Sequence, residues 1–281
     1  MPEVKLQSSS QPSSKKNFRT VKQVEPLIVT RAPHIHSGRS VAGRMWAFVL
    51  ALIPIIVAAV FTSGTGTFRL LLHAVSAAII FEFIGEKISK RSVRIWDGSA
   101  VYWGLLLALS MPQTTPTLLI WIAMLPVILI NKFQTNRFNP ILFSLAALSS
   151  AYSSLPVLTN HPICLAAICG AGIFLAVRRL IPWQSSLLFL PAIFAGGDTG
   201  LVLFAAVFFV TDSVTIPLTF WGRALFSLTA LLSSSALIFL TNSYQGIIFG
   251  LLIAHLFVPL IDRYVRIAPL SLREGQGPTK Q

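Results

Sequence analysis

Few side chains in this sequence can do chemistry, and they fall in short polar runs between long apolar ones. The densest run is Thr211-Asp212-Ser213-Val214-Thr215-Ile216-Pro217-Leu218-Thr219, which follows ten apolar residues, Leu201 to Val210. Its carboxylate and hydroxyls either face water in an ordinary loop or line a site at membrane depth. Irregular backbone and charge are tolerated at that depth only inside protein or beside a cavity. Asp97, Gly98 and Ser99 form a second run. Asp or Ser at a helix start caps it, and these three residues would also offer backbone N–H groups to an anion or a ring carbonyl. Asn136 and Asn139 stand one helical turn apart, beside Arg137. Two amides on one face can donate and accept together, as the polar edge of a pyrimidine-like ring requires. Capping with a turn at Asn139-Pro140 is the plainer role.

The remaining polar groups each have a quiet reading and a sharper one. Asp212 is a solvated or capping carboxylate, or a ligand, with Thr215 and Thr219 nearby. Glu82 and Glu86 are one turn apart and within reach of Lys87 or Lys90, as an interfacial ion-pair cluster or as carboxylates on an ion path. His255 lies inside the last apolar segment, either as a hydrogen-bonded core histidine or as a proton relay; His73 poses the same choice. Asp262 and Arg263 read as interfacial. Cys164 and Cys169 cannot build a disulfide framework and read as small packing residues. His34 and His36 have no third ligand close in sequence, so a turn is expected there and no metal site. Nucleophile elbow, phosphate-binding loop, dinucleotide fingerprint and zinc-protease helix are all missing from the sequence. Chemistry would therefore be carried by a bound cofactor.

The elements that must position these groups are membrane helices. The chain has 281 residues, 54% hydrophobic and only 11% charged, against about 25% charged in ordinary globular domains. A fold of all-α, polytopic membrane type follows. Residues 1–43 read as a polar, disordered cytoplasmic tail that touches anionic lipid, and the first apolar run starts near Met45, so no cleavable signal peptide is expected. Ten apolar segments follow: Met45–Thr62, Phe68–Ile84, Gly98–Met111, Thr117–Phe133, Phe138–Leu155, Pro162–Ile181, Gln184–Ala195, Thr199–Val210, Gly222–Leu240 and Gly246–Ile261. Several are shorter than the roughly 20 residues of a full span, the third and eighth above all. Such pieces fit half-helices that stop inside the protein.

Charge placement supports that count. With the tail inside and the segments alternating, Lys87, Lys90, Arg91 and Arg94 return to the inside, as do Lys132 and Arg137, Arg178 and Arg179, Arg223, and Arg263, Arg266 and Arg273. Of 22 basic residues only Arg69 falls outside. The net charge of +13 is thus assigned to cytoplasmic loops and lipid headgroups, and not to nucleic acid. The halves also resemble each other. Asp97-Gly-Ser-Ala-Val opens the third segment and Asp198-Thr-Gly-Leu-Val the eighth; Pro116 and Pro217 follow at equal distance; Thr135-Asn136-Arg137-Phe138-Asn139 matches Thr241-Asn242-Ser243-Tyr244-Gln245. A repeat of five segments, an odd number, gives two copies of opposite orientation with the functional site at their interface. The expected layout is a first membrane repeat over 44–155, a second over 156–266 and a cytoplasmic tail over 267–281.

Five motifs in order resemble one family. They are Pro33-His34-Ile35-His36-Ser37-Gly38; Asp97-Gly98-Ser99-Ala100-Val101 with Gly104-Leu105-Leu106-Leu107-Ala108-Leu109; Asn136-Arg137-Phe138-Asn139-Pro140; Thr211 to Thr219 with Gly222-Arg223; and Val258-Pro259-Leu260-Ile261-Asp262-Arg263-Tyr264. By these the chain is similar to the NqrB/RnfD family, which comprises the RnfD component of the Rnf complex and the NqrB component of the sodium-translocating NADH:quinone reductase. The resemblance implies a ten-helix membrane component with inverted five-helix repeats, in the bacterial cytoplasmic membrane with both termini cytoplasmic. It implies a multisubunit redox-driven Na⁺ or H⁺ pump in which the chain contacts other membrane subunits and lipid. It also implies riboflavin held non-covalently and FMN joined to a Thr of an S-G-A-T motif. Leu155 to Arg178 contains no such motif, and Cys169-Gly170-Ala171-Gly172 has no acceptor hydroxyl. Covalent FMN is therefore expected to be absent, and the chain reads as a shortened member. Ser213 also stands where the family usually has Pro, and His255 where Asn is common. One non-covalent flavin, riboflavin or FMN, is expected, with Asp97, Gly98, Ser99, Asn136, Asn139, Asp212 and Thr215 as its candidate contacts. A transporter or channel of inverted-repeat type and a redox-silent scaffold are the alternative functions.

Overall fold

A computed structural model describes residues 41–89, 95–133, 139–148, 160–196, 198–212, 215–241 and 245–265. The tails, Asn136 with its arginine neighbour, His34, His36 and the basic residues 90–94 lie outside the described residues. The ten expected segments are ten helices: α1 Val41–Ser63, α2 Thr65–Ile88, α3 Ser99–Ser110, α4 Thr117–Phe133, α5 Pro140–Leu148, α6 Pro162–Val177, α7 Trp183–Phe189, α8 Thr199–Phe208, α9 Phe220–Thr241 and α10 Gln245–Tyr264. The chain is an all-α polytopic membrane protein. Among the described residues four helices, α1, α2, α9 and α10, are long and apolar enough to cross a membrane alone. The fifth segment, expected to run to Leu155, is described as helix only to Leu148, and 149–159 lie outside the described residues. The seventh is α-helical for one part and then tightens into a 3-10 turn at Leu190–Ala195, where Pro191 has no N–H to continue the α ladder.

Two short helices make the centre. Residues 102–110 of α3 are all buried, and so are all residues 200–208 of α8 except Leu203. A helix apolar around its whole circumference has no solvent face and belongs in the interior. With 12 and 10 residues, each rises only about 15–18 Å of a hydrocarbon core roughly 30 Å thick. The long helices surround them and keep one apolar face outward: Leu50, Ile53, Val57 and Phe61 on α1, and Leu228, Leu232 and Phe239 on α9, are all exposed. Water would penalise such faces, whereas lipid does not.

α1 and α6 pack side by side and run in opposite directions. Thr62 in the last turn of α1 meets Cys164 in the first turn of α6, Oγ1 to Sγ 3.4 Å. Small residues let the outer pair α9–α10 close. Gly246 and Gly250 lie one turn apart on α10, and a Cβ on Gly250 would come within 2.3 Å of Ser234 Cα on α9. Ser233 Oγ then donates to Gly250 O at 2.8 Å across the seam. This small-xxx-small pattern brings two backbones together where lipid offers no hydrophobic drive.

Candidate functional site

The polar groups near the chain's central break form one connected set at the meeting of α5, α8 and α10. Apolar residues carry α8 to Phe208, and the chain then leaves the helix through Phe209 and Val210, whose N–H groups both reach Ala205 O. Thr211 Oγ1 donates back to Val207 O. Asp212 starts a tight turn: its carbonyl accepts from Thr215 N and Ile216 N, each at 3.2 Å. Its side-chain Oδ2 accepts from Thr215 Oγ1 at 3.2 Å and from Asn139 Nδ2 at 3.4 Å. Asn139 is the cap of α5, with Oδ1 accepting from Ile141 N and Leu142 N. Its amide therefore closes a helix start and reaches the second half of the molecule at once. His255 of α10 completes the set, with Nε2 3.2 Å from Thr215 Oγ1 and Nδ1 2.7 Å from Leu251 O.

Burial is steep across this set. Asn139, Thr215 and His255 are almost fully enclosed, whereas Asp212 is half-buried. Phe226 of α9 closes the far side with its ring edge on His255, centroids 5.0 Å apart. Tyr102, in the first turn of α3, is a titratable neighbour that interacts electrostatically with Asp212. Tyr102 meets Phe48 at 5.3 Å and Trp103 at 5.2 Å between centroids, both in tilted contacts, so a wall of rings surrounds Tyr102.

Asp97, Gly98 and Ser99 stand one turn earlier on the same end of α3, in a separate hydrogen-bonded group. Asp97 Oδ1 accepts from Ser99 N at 2.9 Å, a local turn, while the N-cap position itself is Gly98 and has no side-chain cap, contrary to expectation. Ser99 Oγ lies 2.7 Å from Asp97 Oδ1 and 3.0 Å from Glu82 Oε1. Gly98 takes φ +79°, and a side chain there would press on the Trp46 indole at 3.1 Å. Glu82 and Glu86, expected at an interface, are both buried. Of the two cysteines, Cys164 is buried as expected, but Cys169 is exposed on the outer face of α6 and packs no core.

The structure thus brings Asn139, Asp212 and Thr215 into direct contact and leaves Asp97 and Ser99 with Glu82. It adds His255, which sequence reading singled out without a partner, and Tyr102, whose position at the start of a buried helix was the only signal. The second repeat's opening acid, Asp198, caps α8 through Leu201 N at 3.1 Å. Burial raises its carboxyl above the ordinary aspartate range, against the lowering pull of the Leu201 and Gly200 N–H groups. On the outer side of the 215–219 turn lies an open cleft of about 570 Å³, bordered by Arg179, Trp183, Pro217 and Arg223.

Comparisons with known proteins agree with this architecture. A family model described as NQR2, RnfD, RnfE family matches residues 28–161 and 157–270. The chain is 26% identical to the D component of the proton-translocating ferredoxin:NAD(+) oxidoreductase complex of Clostridium ljungdahlii, over 87% of this chain and 96% of that protein. It is 26% identical to the D component of the ion-translocating oxidoreductase complex of Methanosarcina acetivorans, over 83% and 93%. With the D component of the Na(+)-translocating ferredoxin:NAD(+) oxidoreductase complex of Acetobacterium woodii it shares 24% over 85% and 94%. The alignment with the Clostridium protein extends over 319 positions, more than the 281 residues of this chain, so that relative has residues with no counterpart here.

Proposed function

This chain belongs to the NQR2, RnfD, RnfE family, and from that premise we propose that it is the RnfD-type membrane component of an Rnf-like, ion-translocating electron-transport complex and holds one flavin without a covalent bond. The activities that its relatives are named for support the complex. The observation that carries the cofactor reading is the joined set Asn139, Asp212 and Thr215 beside an aromatic wall.

The residues present fit a flavin in kind. The ring system is flat and apolar with one polar edge, which calls for aromatic or small neighbours and a few fixed amides and carboxylates. Phe48, Tyr102 and Trp103 supply aromatic neighbours. Asn139 holds its side chain still through two backbone bonds and still has a second amide hydrogen to give. Asp212, half-buried, can take a ring N–H. Asn139, Asp212 and Thr215 are the proposed contacts, with Asp97, Gly98 and Ser99 one turn away and Asn136 adjoining in sequence. A bound flavin supplies one- and two-electron transfer. The chain's own part is to hold the ring edge, exclude water with the aromatic wall and keep a charge-compensating carboxylate near it.

The covalent FMN of the family is proposed to be absent. α6 carries Cys169-Gly170-Ala171-Gly172 within helix and no acceptor hydroxyl in that tetrad. The location proposed is the bacterial cytoplasmic membrane, with both termini on the cytoplasmic side, by the distribution of Lys and Arg. The proposed partners are the other membrane subunits of the complex and lipid, without nucleic acid.

Purification in mild detergent followed by a visible spectrum and acid extraction tests the cofactor. A flavin spectrum, about one flavin released per chain and a non-fluorescent denatured band are expected. Colourless folded protein would refute flavin binding, and solute flux in liposomes would then favour a transporter. A fluorescent band would refute the absence of covalent FMN.

A further inference from the structure

The directions of the hydrogen bonds around His255 fix a proton count. Leu251 O can only accept, so His255 Nδ1 at 2.7 Å carries a hydrogen. On its other side the ring faces Thr215 Oγ1 at 3.2 Å, and that oxygen lies 3.2 Å from Asp212 Oδ2. A threonine hydroxyl has one hydrogen to give. When it points to Asp212, Nε2 must donate as well, and the ring is an imidazolium beside a carboxylate. When it points to Nε2, the ring is neutral and Asp212 must carry the hydrogen that closes its contact with Thr215. Both arrangements contain one proton more than a neutral ring with an ionised carboxylate. Without that proton, one of the two contacts sets lone pair against lone pair, which costs most on the sealed His255 side.

We infer that His255, Thr215 and Asp212 form a one-proton binding site, within which the proton moves between ring and carboxylate by a paired shift through the Thr215 hydroxyl. In that shift the Nε2–H bond breaks as a new Oγ1–H bond forms, and the old Oγ1–H bond breaks as an Oδ2–H bond forms. No electron and no outside proton takes part. The pair is neutral overall in both states, as burial in an apolar bundle favours.

The surroundings give the site a direction. His255 and Thr215 are sealed, with Phe226 edge-on against the ring. Asp212 is half-buried and is the end through which protons exchange with the outside. Asn139 of α5 donates to the same Oδ2 in both states and holds it in line. Tyr102 of α3 also interacts electrostatically with Asp212. His255 and Asp212 are joined through one hydroxyl, so their titration belongs to the pair. The site uses residues of the proposed flavin contact but stands on hydrogen-bond directions alone, so it does not depend on a flavin being present.

The experiment uses the full chain in lipid bilayers. Nitrogen NMR with ¹⁵N-labelled histidine reads the His255 ring, assigned by its loss in His255→Asn. Infrared spectroscopy reads a protonated carboxyl, assigned by its loss in Asp212→Asn. Near neutral pH the expected result is that imidazolium at His255 and acid at Asp212 sum to about one proton. Thr215→Ser keeps that sum, and Thr215→Val lowers it to less than about half, because a pair without the bridge titrates as two separate groups. A neutral ring beside an ionised Asp212 in the wild type overturns the inference, and so does an unchanged sum in Thr215→Val. Should the His255 variant not fold, the Thr215→Ser and Thr215→Val spectra still decide it. Both signals are read without flavin or partner proteins, so this result and the flavin extraction fail independently.

Discussion

The chain stops two helices inside the molecule, α3 and α8, and finishes the stops with opposite charges. Both endings begin alike: Ser110 Oγ donates back to Leu106 O, and Thr211 Oγ1 donates back to Val207 O. After α3 the chain turns on Thr115, whose N–H and hydroxyl both reach Pro112 O. The loop has no carboxylate, and a cation from a neighbour binds its carbonyls: Arg69 of α2 donates to Gln113 O and Thr115 O, each at 3.1 Å. After α8 the loop brings its own carboxylate, and the neighbours bring donors, Asn139 and His255. The first stop is thus closed by a guanidinium donating to two carbonyls. The second joins a carboxylate to a histidine through the Thr215 hydroxyl. The two stops share the back-bonding hydroxyl and differ in the groups that close the turn.

Changes that break this comparison act first through the helix that presents His255. Gly250→Leu forces a side chain into the Ser234 backbone at the α9–α10 seam. The expected cost is more than about 3 kcal/mol, enough to separate the hairpin and dismantle the second stop. Thermal unfolding in detergent checks it; a melting temperature near that of the wild type would show that the seam yields.

Asp212→Asn removes the charge of the second stop and keeps its shape. Redox-driven ion uptake by vesicles containing the complex should fall at least about tenfold, or about 1.4 kcal/mol in the barrier, with assembly retained. Gln113→Ala, at the first stop, changes an exposed side chain whose carbonyl is what Arg69 uses, so uptake should hold. Equal uptake in both variants would erase the functional difference drawn between the two stops.

Sequence reading reached the elements more readily than their connections. The apolar runs marked all ten helices, and α4 has the limits expected of it, Thr117–Phe133. α8 ends two residues early because its last N–H groups converge on Ala205 O. α1 starts four residues early, since Val41 to Arg44 is polar enough to blur the edge of an apolar run but contains nothing that breaks a helix. At the site, Asn139, Asp212 and Thr215 were visible because polar residues are conspicuous between apolar segments. Their junction was not visible, because Asn139 and Asp212 are 73 residues apart and Thr215 and His255 are 40 apart. Only the packing of α5 and α10 against the end of α8 brings them together. Ser99 was read with the flavin contacts, and its hydroxyl lies between Asp97, two positions earlier, and Glu82, seventeen positions earlier. No local pattern encodes the contact with Glu82. The glycine pair on α10 was legible as Gly246-Ile247-Ile248-Phe249-Gly250, but the repeat match drew attention to the wrong property of that stretch.

Arg69→Gln tests the claim that the first stop is held from outside. Two charge-assisted bonds to carbonyls are lost at a partly exposed place, so about 1–2 kcal/mol of stability should go. Unfolding measurements should report the loss, and uptake per folded complex should stay at the wild-type level. A fall in uptake without a fall in stability would mean that Arg69 belongs to the ion path.

The smallest expected change separates the two turns most sharply. Thr115→Val deletes one buried hydroxyl whose bond to Pro112 O is 2.6 Å long. Pro112 O keeps the Thr115 N–H, so no acceptor is stranded, and about 0.5–1.5 kcal/mol should be lost. Thr215→Val deletes a hydroxyl of similar burial, and its backbone bond to Asp212 O likewise remains. Its stability cost should therefore be of the same order. Here, however, the missing hydrogen was the link between His255 and Asp212, so uptake should drop as well, and Thr215→Ser should restore it. The pair cancels what the two sites share, a buried threonine in a tight turn after a half-helix. What is left over is the effect of joining two titratable groups. Equal uptake in Thr115→Val and Thr215→Val, at equal stability, would reduce the second stop to a structural copy of the first.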